Sequence, residues 1–333
     1  MRFSRDAEIS VMKANPYHYA KGISFVNDII FHHYPPSPVA EKVRVALGIK
    51  QLNWCSVTIP RVPPKPLLMP LTGGFRRTPV MQIGADVYCD SQCILRELQK
   101  RYPQPSFSGD ASPGMLWGLS RWTDDTLFKL CLKIVLAVAE PNMPQDLLKD
   151  RGRLYFGPHW DFSKVRAELP QLVAQLRTQL GWMDQQLSSG NKYMLGDNAS
   201  LADALAYYLI WFIRGRWSEG PEFLSQFSEI VAWEQRVNEI GHGTPTDMSA
   251  EQALSIAKAV EPTTPESVDP NDPLKLEVGM QISIAPNEDS GEQPVSGKLR
   301  FADRETIALI QSNDQVGTVC INFPRVGYRI ITA

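Results

Sequence analysis

The sequence predicts an α/β unit followed by an all-helical unit, with a small all-β, barrel-like extension at the C-terminal end. Three observations carry this. Residues 28–107 alternate short runs of β-formers with amphipathic segments, in the order βαβ, loop, ββα. From about Ser112 to Pro262, apolar residues recur instead at three- and four-residue spacing. Beyond the Pro-, Asp- and Thr-rich stretch "EPTTPESVDPNDP" (Glu261 to Pro273), β-former runs stand between turn residues. The expected boundaries are an N-terminal extension over 1–27, an α/β domain over 28–107, a helical domain over 108–260, a linker over 261–273 and a β unit over 274–333.

Taken in order, "DIIFHHY" reads as a strand and "VAEKVRVALGIK" as a helix. In that helix Val39, Val43, Ala46 and Leu47 share a face, while Glu41, Lys42 and Arg44 point elsewhere. "LNWCSVTI" is a second strand, ended by the proline-rich "PRVPPKP". "TPVMQI", the turn "GAD" and "VYC" form a hairpin, and "DSQCILRELQKRY" is a helix opened by an acidic residue and a serine. The helical half contains "MLWGLSRWTDDTLFKLCLKIVLAV", "ELPQLVAQLRTQLGWMDQQLS", "SLADALAYYLIWFIRG" and "EIVAWEQRVNEIG". Ser200 and Asp203 make a capping box at the third of these, a structural device with no catalytic role. In the last segment "MQISIA", "VSGKLRF", "TIALIQ", "GTVCINF" and "GYRIITA" read as strands.

Composition narrows the function classes. The chain of 333 residues has a net charge of −2, with 34 basic against 36 acidic side chains, so no strong field draws nucleic acid or an anionic membrane. Within 272–333 six basic side chains face eight acidic ones, which disfavours a nucleic-acid grip by the β unit. The run "LADALAYYLIWFI" is shorter than a membrane span and contains Asp203, so it reads as a buried core helix. The five cysteines (Cys55, Cys89, Cys93, Cys131 and Cys320) have no metal-ligand spacing, and their odd number suits a reducing compartment. With no apolar signal core in "MRFSRDAEIS", a cytoplasmic protein without a metal is expected.

The residues that carry chemistry begin with Ser37 in "FHHYPPSPVAEKVRVAL". A serine between prolines at a strand–helix junction puts a hydroxyl at a helix N-terminus, where backbone N–H groups and the helix dipole favour an anion. Taken alone it is a helix cap. Pro79 in "RTPV" and the acidic–serine pair in "CDSQCI", after a hairpin, add two further features at matching separations. Together these stretches resemble the thioredoxin-like domain of the glutathione transferases, in which a cis-proline precedes a strand and an acidic residue followed by Ser or Thr opens the next helix. "SPVAEKVRVAL" is similar to the omega-class opening, where a cysteine takes the place of Ser37, and to the zeta and related classes, where a serine does. "YMLGDNASLADALAYY" is similar to the family's second domain. The resemblance covers roughly residues 28 to 260, leaving the last seventy or so outside it.

The resemblance implies glutathione as cosubstrate, a small electrophile as second substrate, and a homodimer. It implies that Thr78, before a cis Pro79, pairs its backbone with the tripeptide as an added strand would, and that Asp90 and Ser91 take its α-ammonium and α-carboxylate. Lys65, in a Lys-Pro that omega-like members share, is the candidate for the glycyl carboxylate. Arg76 and Arg77 are expected at the surface, and His32 and His33 as satisfied structural groups. Ser37 would hold the glutathione thiolate, with Tyr34 in reserve. A free thiol has a pKa of about 8.5, and lowering it by about two units corresponds to roughly 2.7 kcal/mol. Without a cysteine at position 37 no mixed disulfide forms there, which points to conjugation, isomerisation or thiolytic elimination. The stripe Trp117, Arg121, Trp122 and Asp125 is expected to line the second-substrate pocket or to pack between the domains. The alternative function is a non-catalytic glutathione- or ligand-binding interaction protein on the same fold.

Overall fold

The strand β1 (Ile30–His33) is buried along its whole length, and its neighbours in sequence divide between two cores. Ile29 and Phe31 enter one and Ile30 the other, as the two-residue period of a strand dictates. In the computed structural model, which describes residues 28–109, 112–139 and 143–332, β1 pairs in parallel with β2 (Asn53–Thr58) through the helix α1 (Pro38–Ile49). The expected N-terminal extension over 1–27 lies outside the described residues. After the short α2 (Met69–Thr72), the hairpin β3 (Val80–Ile83) and β4 (Asp86–Cys89) adds antiparallel to β1, and α3 (Ser91–Arg101) packs beside α1. This is the thioredoxin-like arrangement.

The helical half runs through α4 (Pro113–Arg121), a π-helical stretch Trp122–Leu127, α5 (Phe128–Ala139), α6 (Gln145–Phe156), α7 (Phe162–Ala167), α8 (Leu169–Leu187), α9 (Leu201–Arg216), α10 (Gly220–Leu224) and α11 (Ser228–Ile240). The segment read as one long helix from Met115 is therefore α4 and α5 joined through the π-helical stretch. The central helix α9 is apolar nearly all round because it is enclosed, with Leu205, Tyr208, Leu209 and Ile210 without exposure. Its start is held by Asp203, a fully buried carboxylate. Asp203 accepts from the Ser200 and Met194 amides and from the Trp233 indole, each at 2.8 Å, and from the Ser200 hydroxyl at 3.0 Å. Asp203→Ala leaves the indole and amide donors buried without acceptors and is expected to cost about 3 kcal/mol, read as a lower urea midpoint.

The chain then returns to the sheet. β5 (Thr244–Asp247) pairs in parallel with β2, and α12 (Ala250–Lys258), capped by Ser249 and Gln252, covers the second core. The Pro-rich linker is pinned as it crosses: Thr263 and Thr264 each donate an amide and a hydroxyl to the Asp86 carboxylate. The five expected C-terminal strands are present as β7 (Gln281–Pro286), β8 (Val295–Ala302), β9 (Thr306–Asn313), β10 (Gly317–Pro324) and β11 (Tyr328–Thr332), and the stretch read as a linker carries a further short strand, β6 (Ser267–Val268), beside β8.

Their path is open where a barrel-like closure was expected, and the reason is visible in the pairing. One edge of β10 is taken by β9 and the other by β4, with Ile321 opposite Val87, so the described residues form one 11-stranded sheet. The order is β11-β7-β8-β9-β10-β4-β3-β1-β2-β5, with β6 beside β8. Among the described residues no helix is long and apolar enough to cross a membrane.

Candidate functional site

Ser37 caps α1: its Oγ accepts from the Ala40 amide at 3.2 Å, and its own amide donates to the Tyr34 carbonyl at 3.0 Å. The turn that carries it is held from behind. Arg44 donates to the Pro35 carbonyl at 2.9 Å and to Glu41, whose second oxygen meets His242 at 2.9 Å. Arg44 also reaches Nδ1 of His33 at 3.0 Å. A guanidinium only donates, so that nitrogen accepts and the proton sits on Nε2, facing the Ser56 hydroxyl at 3.1 Å. Burial first, then the Arg44 charge, lowers the His33 pKa to about 3 and keeps the ring neutral. His32 is buried on Gln82, and burial lowers its pKa to about 4. Both ring nitrogens of His33 are partnered, as expected of a satisfied group, whereas His32 has its Nδ1 buried without a hydrogen-bond partner among the described residues. The double proline thus sits on a braced frame, and Ser37 is 1% exposed.

Two adjoining cavities open around this helix start. The larger, about 370 Å³, is lined by Thr78, Pro79, Asp90, Ser91 and Gln92 on one side and by Arg121, Asp124, Asp125, Phe128 and Lys129 on the other. The smaller, about 70 Å³, is lined by Tyr34, Ser37, Arg61, Arg151 and an apolar wall. Val39, Phe128 and Tyr155 border both. The bond between Thr78 and Pro79 is cis. Asp90 caps α3 by accepting from the Gln92 amide at 2.8 Å, with its backbone at φ +76°, a region that non-glycine residues enter at a cost.

The remaining sequence candidates divide. Arg121 and Asp125 line the larger cavity, but Trp117 and Trp122 line neither. The Arg96 guanidinium lies 3.9 Å from the centre of the Trp117 ring. Trp122 follows Arg121 by one residue, about 100° round the helix, and its indole donates to Gln179 at 2.9 Å. Lys65 is also absent from both linings. Its ammonium donates to the Arg76 carbonyl at 2.8 Å and to the Thr78 hydroxyl at 3.0 Å, and burial with Arg151 and Arg76 nearby lowers its pKa to about 7. Arg76 and Arg77, expected at the surface, are mostly covered. Arg76 pairs with Asp150, and Arg77 with Glu292 at 2.6 Å.

Three groups of cavity-lining residues were not legible. Lys42, fully buried on α1, pairs with Asp124 at 2.6 Å, and Asp124 also receives the hydroxyls of Ser120 and Tyr208 at 2.9 and 3.2 Å. Nothing local in the sequence marks that pair, whose members lie in different domains. The C-terminal strands supply a second group. Pro286, Asn287, Glu288, Val326, Gly327 and Tyr328 form a wall of the larger cavity, and the Tyr328 hydroxyl donates to Asp90 at 3.1 Å. Glu288 pairs with Lys129. The third group is Arg151 and Arg61, which flank Tyr34 in the smaller cavity.

Two family models match the chain: the glutathione S-transferase N-terminal domain over residues 31–106 and the C-terminal domain over 145–240. The crystal structure of a GST-like protein from Pseudomonas syringae is 32% identical, with a TM-score of 0.73, over 92% of this chain and 100% of that one. The chain belongs to the glutathione transferase superfamily. A match of that span extends past residue 260. Other solved structures are more distant. FzlA from C. crescentus is 20% identical over 63% of this chain and 87% of that one, with a TM-score of 0.47. Poplar glutathione transferase F1 is 13% identical over 63% and 92%, also with a TM-score of 0.47. A comparison with curated proteins finds no match.

Proposed function

We propose that the larger cavity binds glutathione and that Ser37 holds its thiolate for attack on a small electrophile in the adjoining smaller cavity. The observation that carries this reading is a convergence. Thr78, Pro79, Asp90 and Ser91 line one cavity, and Ser37 opens on its neighbour across the shared Val39, Phe128 and Tyr155. As a cap, Ser37 uses a lone pair to accept from Ala40, so its single proton is available to a sulfur anion. The N-terminus of α1 adds a favourable field. No cysteine of the chain supplies the nucleophile in this scheme: all five are buried, and burial pushes each thiol pKa up.

The step common to conjugation, isomerisation and thiolytic elimination is formation of a carbon–sulfur bond by the thiolate. The electron pair displaced from the electrophile leaves with the departing group or moves onto an acceptor atom that then takes a proton. Asp90 and Ser91 orient the γ-glutamyl end, and the Thr78 backbone pairs with the peptide. Lys65 supports the reading indirectly, through the loop that carries Thr78.

One observation favours the alternative, a binding module without turnover. Asp90 already accepts from Tyr328, and the cavity cations Arg77 and Lys129 already pair with Glu292 and Glu288. Calorimetric titration of glutathione separates the cases when run beside a turnover assay. Asp90→Asn keeps an oxygen for the cap and removes the charge, and is expected to raise Kd about 10- to 100-fold. Absence of glutathione binding by the wild type would sink the transferase reading and a glutathione module alike, leaving a module for another ligand. Binding without turnover of any electrophile would select the module.

A further inference from the structure

The smaller cavity combines an apolar wall with an excess of positive charge. Phe128, Leu132, Leu136 and Phe212 form the wall, and Arg61, Arg151 and Arg216 stand round it. Among the described residues no carboxylate lines this cavity. Asp150, just outside, pairs with Arg151 at 2.8 Å but is shared with Arg76. Among the described residues the Arg61 guanidinium has only the Tyr34 ring, 5.9 Å from its carbon to the centroid. Arg216 ends α9, where the helix dipole favours a cation but supplies no counter-ion.

The three cations also feel one another. Arg61 has its pKa lowered by burial first, and then by Arg151 and Arg216, against the opposing effect of Tyr34. A guanidinium does not give up its proton near neutral pH, so this repulsion persists as positive potential over an apolar cavity. An anion placed there relieves it, and a guanidinium fork matches a planar or tetrahedral oxyanion with two parallel N–H groups.

Resting on the reading that the electrophile occupies this cavity, we infer that the second substrate is an apolar acid. Its hydrophobic body lies against Phe128, Leu132, Leu136 and Phe212, and its carboxylate or sulfonate is held by Arg61, Arg151 and Arg216. The anionic group fixes which end of the molecule enters and so which carbon faces the Ser37 side. A neutral electrophile of the same shape buries the same surface but leaves the cations unrelieved. Arg151 is the fixed member, tied to Asp150, to the Tyr34 hydroxyl at 3.2 Å and to the Arg61 carbonyl at 2.6 Å. Arg61 and Arg216 lie at the exposed rim, free to turn onto the anion.

The test uses the full chain and two probes of matched shape, 3-phenylpropionate and 3-phenylpropionamide, titrated by calorimetry at low salt. The acid is expected to bind at least about tenfold tighter than the amide, the effect of one charged hydrogen bond, and to weaken as salt is raised. In the double variant Arg61→Gln, Arg216→Gln that preference is expected to fall about tenfold while amide affinity stays. Equal affinities for the two probes in the wild type, absence of binding by both, or an acid preference undiminished in the double variant would each overturn the inference. Glutathione titrated into the same samples reads the underlying proposal separately. Acid preference without glutathione binding would leave the anion site standing and remove the transferase chemistry.

Discussion

A chain ended at Pro273 is expected to lose cooperative folding. The cut removes β7 to β11, and with them the residues that close the second core: Ile282, Ile284, Leu299, Ile307, Leu309, Ile321 and Phe323, each at most 2% exposed. What stays behind loses its cover. Phe75 packs its ring against Phe323 at 5.4 Å and against Tyr328 at 6.3 Å, and Val80, Val87 and Cys89 share the same core. Re-exposing a buried side chain of this size costs about 1.5–3 kcal/mol, so four such losses approach the whole stability of about 5–15 kcal/mol typical of a domain. The cut also bares the β4 edge that Cys320, Ile321 and Asn322 pair with, and an unpaired flat edge invites association. The measurement is soluble yield and a thermal melt beside the full chain. A truncated protein melting cooperatively within a few degrees of the parent would show instead that the last strands are an independent module.

That the cut reaches so far into the α/β half follows from a pairing that local sequence does not encode. The period of a strand tells which residues face a core, and "DIIFHHY", "TPVMQI" and "GTVCINF" could be read on that basis. Which edge each strand joins depends on the whole sheet, and β10 meets β4 across 234 positions, from Asp86 to Cys320. The helices divide along the same line. Ser200 with Asp203 was legible because a capping box is local. Glu41, Lys42 and Arg44, set apart from the apolar face of α1, are buried by partners remote in sequence or outside the helix. Lys42 lies over the Tyr208 ring of α9 and pairs with Asp124, while Arg44 meets His33 and the Pro35 carbonyl and Glu41 meets His242. The lining of the candidate site was legible where a residue sits at a helix start or beside a proline, as with Ser37, Pro79 and Asp90. It was opaque where the partner is remote, as with Lys42 and Asp124, or Tyr328 and Asp90. Trp117 and Trp122 show the converse: helical spacing alone does not distinguish a pocket wall from packing.

Ser37→Ala is expected to lower glutathione-dependent turnover at pH 7 about 25-fold if the hydroxyl lowers the bound thiol pKa by about two units, or roughly 2.7 kcal/mol, because the thiolate fraction falls from about three quarters to about 3%. The sign of the pH effect is fixed by the chemistry. A lowered thiol pKa gives thiolate at and above that pKa, so the ascending limb of the wild-type rate profile lies below the free-thiol value of about 8.5. Without the hydroxyl the limb moves up toward that value, and the two enzymes converge at high pH. The alanine also removes the cap on the Ala40 amide, which costs about 1 kcal/mol of stability and could confuse a single-point assay. Ser37→Asp separates the two effects, since aspartate caps as well as serine but has no proton to donate and sets a like charge beside the sulfur. It is expected to melt near the wild type and yet lose turnover, whereas Ser37→Thr should recover both. An unmoved limb in Ser37→Ala would take the thiolate role away from Ser37. Tyr34 is next in line: it lines the same cavity, and its oxygen accepts from Arg151 at 3.2 Å, which leaves its proton to donate. A profile that moves in Tyr34→Phe but not in Ser37→Ala would assign the thiolate to the tyrosine and return Ser37 to the plain task of starting a helix.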